Sequence, residues 1–152
     1  MFKYKFIQLI FYPFILILGL IRIFLKKENI VSIKQKLFCI YDYDKLINKE
    51  IIIHFASIGE LNSIEFLIKN LSNKNILLSC STLSSFYLAK KKYSDLDIIF
   101  LGLDFEWNVK SFLSKTNLKK IIWIDSEIWP NWLNISNKKK IKNILVNGRL
   151  SD

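Results

Sequence analysis

At 152 residues, 51% of them apolar and 14% aromatic, the chain is long enough for one domain with a real core and too apolar to be disordered through its bulk. Its net charge of +10 and isoelectric point near 9.6 favour an anionic partner, which leaves nucleic acid, an anionic membrane surface and a phosphorylated substrate open, although heavy use of Ile, Lys and Asn also follows from AT-rich coding. Cys39 and Cys80 lack metal-ligand spacing and lie too far apart to suggest a disulfide scaffold, so they fit a reducing compartment.

The amino end reads as a separate unit. From Phe6 to Ile21 no residue is charged; Arg22, Lys26 and Lys27 follow, and Lys3 and Lys5 precede. A full membrane span needs about 20 apolar residues, so the stretch is marginal as one. Basic residues on both flanks leave orientation open, and no small-residue cleavage site follows. Residues 1–27 are therefore expected to be a membrane-anchor helix, either tilted across the bilayer or lying in the interface with Lys and Arg on headgroups. A buried core helix is the alternative. Residues 28–49 read as a polar, Lys-rich connector, with Tyr41 to Asn48 as loop or a short helix.

From Glu50 onward, short apolar runs alternate with stretches of helical spacing. Buried strands are expected at 51–55, 76–79, 97–101, 120–125 and 143–147. After Glu60, Leu61, Ile64, Leu67, Ile68 and Leu71 form one apolar helix face, and 84–92 and 106–113 repeat the pattern more weakly. Such alternation predicts an α/β fold: a Rossmann-like parallel sheet of about five strands with flanking helices over residues 50–152.

Carboxylates recur just past the strands. Glu60 follows the first, in His54-Phe55-Ala56-Ser57-Ile58-Gly59-Glu60, and Glu127 follows the fourth, in Asp125-Ser126-Glu127-Ile128-Trp129-Pro130-Asn131. Ligands of open α/β sheets bind beyond the carboxyl ends of the strands, so both acids are placed to face one crevice. Gly59 permits a tight strand-to-helix junction. Glu60 is then either a general base accepting a proton from a substrate hydroxyl or simply an acid favoured in the first turn of its helix. Glu127 reads either as an acid that steadies developing positive charge or as a surface carboxylate. Pro130 fits a helix start. His54, the single histidine, reads as a satisfied core residue. Ser79, Ser81, Thr82, Ser84 and Ser85 are possible phosphate or sugar donors and equally ordinary caps. Asp104 is a third acid at the rim. No metal-ligand cluster and no G-x-G-x-x-G is present, which disfavours a metal centre and a dinucleotide cofactor; scattered lysines with no nucleic-acid-binding signature disfavour nucleic acid.

These motifs resemble, in order and spacing, the amino-terminal half of the Kdo transferases, which add 3-deoxy-D-manno-octulosonic acid to the lipid A precursor. HFASIGE is similar to the family's H-x-x-S-V-G-E, and LLSCSTLSS stands where the family has a Thr-rich segment. FLGLDFEWNVKSFL is similar to L-P-x-D-x-P-x-x-V-x-x-F-L, IDSEIWPN to M-E-T-E-L-W-P-N, and NGRLS to N-A-R-L-S. The resemblance implies an inverting glycosyltransferase with CMP-Kdo as donor, lipid IVA as acceptor and no other cofactor. It implies a two-domain glycosyltransferase B fold, of which this chain is the acceptor-side half, at the cytoplasmic face of the bacterial inner membrane. Glu60 would take the role of general base and Glu127 that of the second essential acid, which stabilises the transition state. Ser57, Gly59, Ser81, Thr82, Asp104, Asn147 and Arg149 would contact substrate.

Departures from the family pattern are Asp125 for the first acid of M-E-T-E, Ser85 for a glycine, and Gly102 and Glu106 for prolines. The sequence ends just after NGRLS, where the family continues into a nucleotide-sugar domain. The isolated chain is therefore expected to bind acceptor or membrane without transferring sugar. A non-catalytic membrane-associated remnant, or one half of a split transferase, is the alternative.

Overall fold

A computed structural model describes residues 2–71, 75–125 and 129–147. Strands β1 (Ile51–Phe55), β2 (Ile76–Cys80), β3 (Asp97–Phe100), β4 (Lys120–Ile124) and β5 (Lys142–Val146) form one sheet, in the order β3-β2-β1-β4-β5, with every pairing parallel. All five fall within a residue or two of the apolar runs. Central strands of a parallel sheet are covered on both faces, which is why β1, β2 and β4 read as continuous Ile/Leu-rich segments.

Alternation along the strands divides the core into two layers. Ile53, Phe55, Leu78, Cys80, Ile122 and Ile124 face one side, with Leu61, Ile64, Ile68 and Ala89 from α4 (Ile58–Ser63), the turn that follows it, α5 (Glu65–Asn70) and α6 (Leu83–Lys92). Ile52, Leu77, Ile99, Ile121 and Trp123 face the other, with Val109 and Phe112 of α7 (Glu106–Ser114) and Trp132 and Ile135 of α8 (Pro130–Lys138). Each cysteine is buried in a different layer, and burial pushes both thiols up to about 12, so they stay protonated and unreactive.

One expected helix is two. The face begun at Leu61 is interrupted at Ile64, whose backbone (φ −99°, ψ 6°) leaves the helical region. The Ser63 hydroxyl donates to the Glu60 carbonyl (2.7 Å), a local bond that competes with the helical ladder.

The segment 28–49 contains α2 (Ile30–Phe38) and α3 (Tyr43–Leu46). Asn29 and Ser32 form a reciprocal capping box at the start of α2. This helix covers the open edge of the sheet: the Phe100 amide of β3 donates to Gln35 Oε1 (2.8 Å), and the Leu103 amide donates to the Lys36 carbonyl (2.8 Å). Tyr41 Oη lies 2.9 Å from the Phe100 carbonyl on the same edge.

Helix α1 (Phe2–Phe24) is docked on the domain along one stripe. The Tyr4 hydroxyl donates to Asp104 (2.8 Å) and the Gln8 amide to the Asp104 carbonyl (2.7 Å). Tyr12 packs edge-on against Phe105 and Trp107. Gly19 lies so close to α2 that a Cβ there would sit 3.2 Å from Ile33 and 3.4 Å from Leu37. Arg22 reaches Glu28 (3.3 Å). Positions 4, 8, 12, 19 and 22 follow the helical repeat, so they lie on one face. Much of the remaining described surface, including Phe6, Phe14, Ile17 and Leu20, is exposed and apolar. Phe6–Phe24 is long and apolar enough to cross a membrane and is 6% buried.

Candidate active site at the carboxyl edge of the sheet

The strand order places β1 between β2, which follows it in sequence, and β4, which returns from the opposite edge, so the topological switch lies between β1 and β4. At such a point the loops beyond the two strands diverge and leave a crevice. The described site residues all lie at this edge: Ser57, Gly59 and Glu60 after β1, Ser81 and Thr82 after β2, Asp104 after β3, and Asn147 after β5. Glu127 and Arg149 lie outside the described residues.

Glu60 is held by its own turn. The Ala56 amide donates to Glu60 Oε2 (2.7 Å) and the Ser57 hydroxyl to Oε1 (2.9 Å). Ser57 is in turn the N-cap of α4 and accepts from the Glu60 amide (3.3 Å). Serine at the cap and glutamate three residues on make a reciprocal capping arrangement, with Ala56 supplying the backbone donor. Each carboxylate oxygen carries one donor, and an ionised carboxylate has about four acceptor positions, so capacity remains for a substrate hydroxyl. The carboxylate is only half-buried. Capping and catalysis are therefore compatible uses of one side chain. Gly59 serves a small purpose here: a Cβ would find only Ser57 Oγ at 3.8 Å, so the position does not depend on glycine for room.

The loops after β1 and β2 are tied together. Thr82, the N-cap of α6, donates to the Ala56 carbonyl (3.3 Å), and Ser85 lies 3.4 Å from the same oxygen and 2.7 Å from Thr82 Oγ1. Ser85 is fully buried in this junction. Ser81 Oγ lies 3.4 Å from His54 Nε2, and His54 Nδ1 lies 3.0 Å from Ser79 Oγ. His54 is fully buried between Trp123 and Trp129, both edge-on. Burial pushes its pKa down to about 3, against a smaller raising effect of the Ser79 hydrogen bond, so the ring is neutral at physiological pH.

Asp104 is occupied by the fold. Its Oδ2 accepts from the Asn131 amide (3.0 Å) and the Tyr4 hydroxyl, and its Oδ1 from the Trp132 amide (2.9 Å). Asn131 and Trp132 are the second and third residues of α8, so Asp104 caps that helix from another part of the chain. Burial nonetheless raises its pKa above the usual carboxylate value, with the two backbone donors opposing. Asn147 is engaged with Asp125; both have left-handed backbones just past their strands (φ 57° each).

Sequence reasoning missed a buried charged group beside this edge. Lys36 on α2 reaches Glu28 (2.7 Å) and donates to the Ser81 carbonyl (2.7 Å), so a buried cation pins the loop after β2. Glu28 also meets Arg22 of α1. The residues are too scattered to form a motif, and the Asn29-x-x-Ser32 spacing is the one local signal that could have pointed to a helix there. Asn131 was also passed over, although it lies in the segment after β4. It is fully buried and donates to the Asp104 carbonyl (2.6 Å) and Gln8 (3.1 Å).

A parallel sheet of this order, with hydroxyl and carboxylate side chains gathered on its carboxyl edge, defines a Rossmann-like α/β domain, a fold in which ligands bind beyond that edge. The chain belongs to the 3-deoxy-D-manno-octulosonic-acid transferase (kdotransferase) family, whose amino-terminal domain model matches residues 28–152. It is similar to a bifunctional glycosyltransferase/methyltransferase of Fusobacterium nucleatum, 37% identical over 89% of this chain and 22% of that protein. It is also similar to a 3-deoxy-D-manno-octulosonic acid transferase of Rickettsia bellii, 29% identical over 98% of this chain and 36% of that protein. The chain thus spans between about a fifth and just over a third of the length of these relatives. Helix α1 lies outside the family match. Among the described residues, no group of three or more His, Cys, Asp or Glu is placed to hold a metal ion.

Proposed function

We propose that this chain forms the acceptor-binding side of a transferase that moves Kdo from CMP-Kdo to lipid IVA. Glu60 is the general base that takes the proton from the attacking hydroxyl, and Glu127 is the second acid, which stabilises the transition state. Ser57, Gly59, Ser81, Thr82, Asp104, Asn147 and Arg149 form the surrounding shell. Within it Asp104 acts by holding the start of α8, and with it the segment after β4, in place. The reading places the protein on the cytoplasmic face of the inner membrane, where an acylated, phosphorylated acceptor meets a basic chain. A non-catalytic remnant, or one half of a split transferase, is the second reading, because the chain spans only part of its relatives.

The observation that carries the first reading is the setting of Glu60. Its carboxylate stands just beyond the central strand, at the switch point, oriented by the Ala56 amide and the Ser57 hydroxyl. A base must have a fixed direction and a free acceptor position, and Glu60 has both.

The test is a graft of this chain in place of the matching segment of the Rickettsia bellii transferase. With CMP-Kdo and lipid IVA, the graft is expected to transfer sugar, and Glu60→Gln is expected to lower the rate by about 10²–10⁴-fold while leaving thermal unfolding almost unchanged. A graft that still binds CMP-Kdo and transfers equally well with Glu60→Gln would overturn the assignment of the base.

A further inference from the structure

Helix α1, helix α2 and the carboxyl edge of the sheet enclose a cavity of about 310 Å³. Its walls are apolar: Leu18 from α1, Ile33 from α2, and Leu101, Leu103 and Trp129 from the edge. One end is polar, with Arg22, Glu28 and Lys36, and Ser81 of the proposed site lines it as well. An apolar cavity of about 150 Å³ is enough to hold a benzene ring, so this one is large enough for a longer alkyl segment.

Three observations identify what fits. First, the cavity shares Leu18 with the exposed apolar surface of α1, so it is continuous with the surface that a lipid phase would cover. Second, its polar end is basic. Arg22 is 40% exposed at the side chain, and exposed Lys26 and Lys27 follow it in the chain, which complements an anionic head group. Third, Glu28 lines the cavity and is 6% exposed, yet its Oε2 meets no hydrogen-bond donor among the described residues. A buried carboxylate oxygen left in that state is an acceptor for a ligand donor, which at this polar end of the cavity is a sugar hydroxyl, since an acyl chain carries none.

We propose that this cavity receives one acyl chain of the lipid acceptor, with its anionic head group beside Arg22 and its sugar on the Ser81 side. The inference rests on the acceptor reading above and adds the place of the chain. Through Lys36, which holds both Glu28 and the Ser81 carbonyl, the chain site and the loop after β2 share one anchor. Acylation of the acceptor is then read directly by the domain, in addition to any role in keeping the acceptor in the membrane.

The experiment needs no donor sugar and no turnover. The full chain is bound to phosphatidylcholine vesicles containing a trace of phosphatidylglycerol with a photoactivatable group in its acyl chain, and labelled residues are mapped by mass spectrometry. Labels are expected at Ile33, Leu101 and Leu103, in addition to the outer surface of α1. Added lipid IVA should remove the cavity labels, and its fully deacylated form should not. Leu18→Trp fills the cavity from a position that is 53% exposed, so the fold is preserved. It should weaken the competition by lipid IVA about tenfold, the equivalent of about two buried methylenes, with labelling of the outer surface of α1 unchanged. Labels confined to α1 would overturn the proposal. So would cavity labels that lipid IVA does not displace, which would make the cavity a slot for bulk phospholipid, or displacement by the deacylated form, which would make the head group sufficient. Competition that succeeds while the Glu60 graft fails would sink the catalytic reading and leave the chain site standing.

Discussion

At the scale of single residues, Glu60 shows how a side chain can cap a helix and still keep acceptor positions open, whereas His54 shows how burial removes a residue from chemistry. His54 is neutral in the fold down to about pH 3 but takes up a proton near pH 6.5 once unfolded. The unfolded state therefore binds more protons between those values, so stability rises with pH through this window and is lost as the solution is acidified. Between pH 7 and 5, the unfolding free energy from urea titrations should fall, with a slope approaching about 1.4 kcal/mol per pH unit at the acid end of the range. His54→Gln should flatten that slope, and an unchanged slope would show that other groups set it. Gly102, which stands where the resembling family has proline, has a local explanation. A Cβ there would lie 2.6 Å from the Cys39 sulfur, and Cys39 itself has a left-handed backbone (φ 50°) as the C-cap of α2. The sulfur fills the space that a side chain at 102 would need.

At the scale of elements, the local part of the fold was legible and the non-local part was not. Strand positions followed from apolar runs bounded by polar residues, and the start of α8 from Pro130; Thr82, one of five hydroxyls that could cap, is the residue that caps α6. The break at Ile64 was hidden because no proline or glycine marks it. Helix α2 was hidden by its lysines: only part of its surface is buried, and its main task is to close the β3 edge through Gln35 and Lys36. Asp104 was legible as a rim carboxylate, but its partners lie 27 and 28 residues onward and 100 residues back, beyond the reach of any local pattern. Its capping of α8 predicts that Asp104→Ala lowers stability by about 1–2 kcal/mol, the upper part of the range for a lost cap. Urea denaturation of the two proteins checks this. A change under about 0.3 kcal/mol would mean that water replaces the carboxylate without loss. Glu60 and Ser57 were legible as a motif, and the reciprocal cap that joins them is what that spacing encodes.

For the whole molecule, charge and apolar surface act together. The net charge of +10 favours anionic lipid as a partner, and the exposed apolar surface of α1 is a candidate for insertion. Helix α1 is about 35 Å long at 1.5 Å per residue. Its contacts with the domain run from Tyr4 near one end to Arg22 near the other. At a bilayer, a helix held along its length in this way is expected to lie in the interface with its apolar surface down, because standing upright would draw the Asp104 edge into hydrocarbon. Flotation with phosphatidylglycerol vesicles should show binding that weakens severalfold between 0.05 and 0.5 M salt, as exposed charges are screened, without vanishing. Complete release at high salt would mean that α1 does not insert.

The seam between α1 and the domain has a practical consequence for anyone seeking a water-soluble form. Starting the polypeptide at Lys26 would strip away a greasy handle, and with it the Tyr4 and Gln8 partners of Asp104 and Asn131, the Arg22 partner of Glu28 and one wall of the cavity. Such a shortened protein should unfold at lower urea than the parent and should bind a dye for exposed apolar surface, instead of behaving as the same domain set free. Detergent exchange with α1 retained is the better route to material in solution.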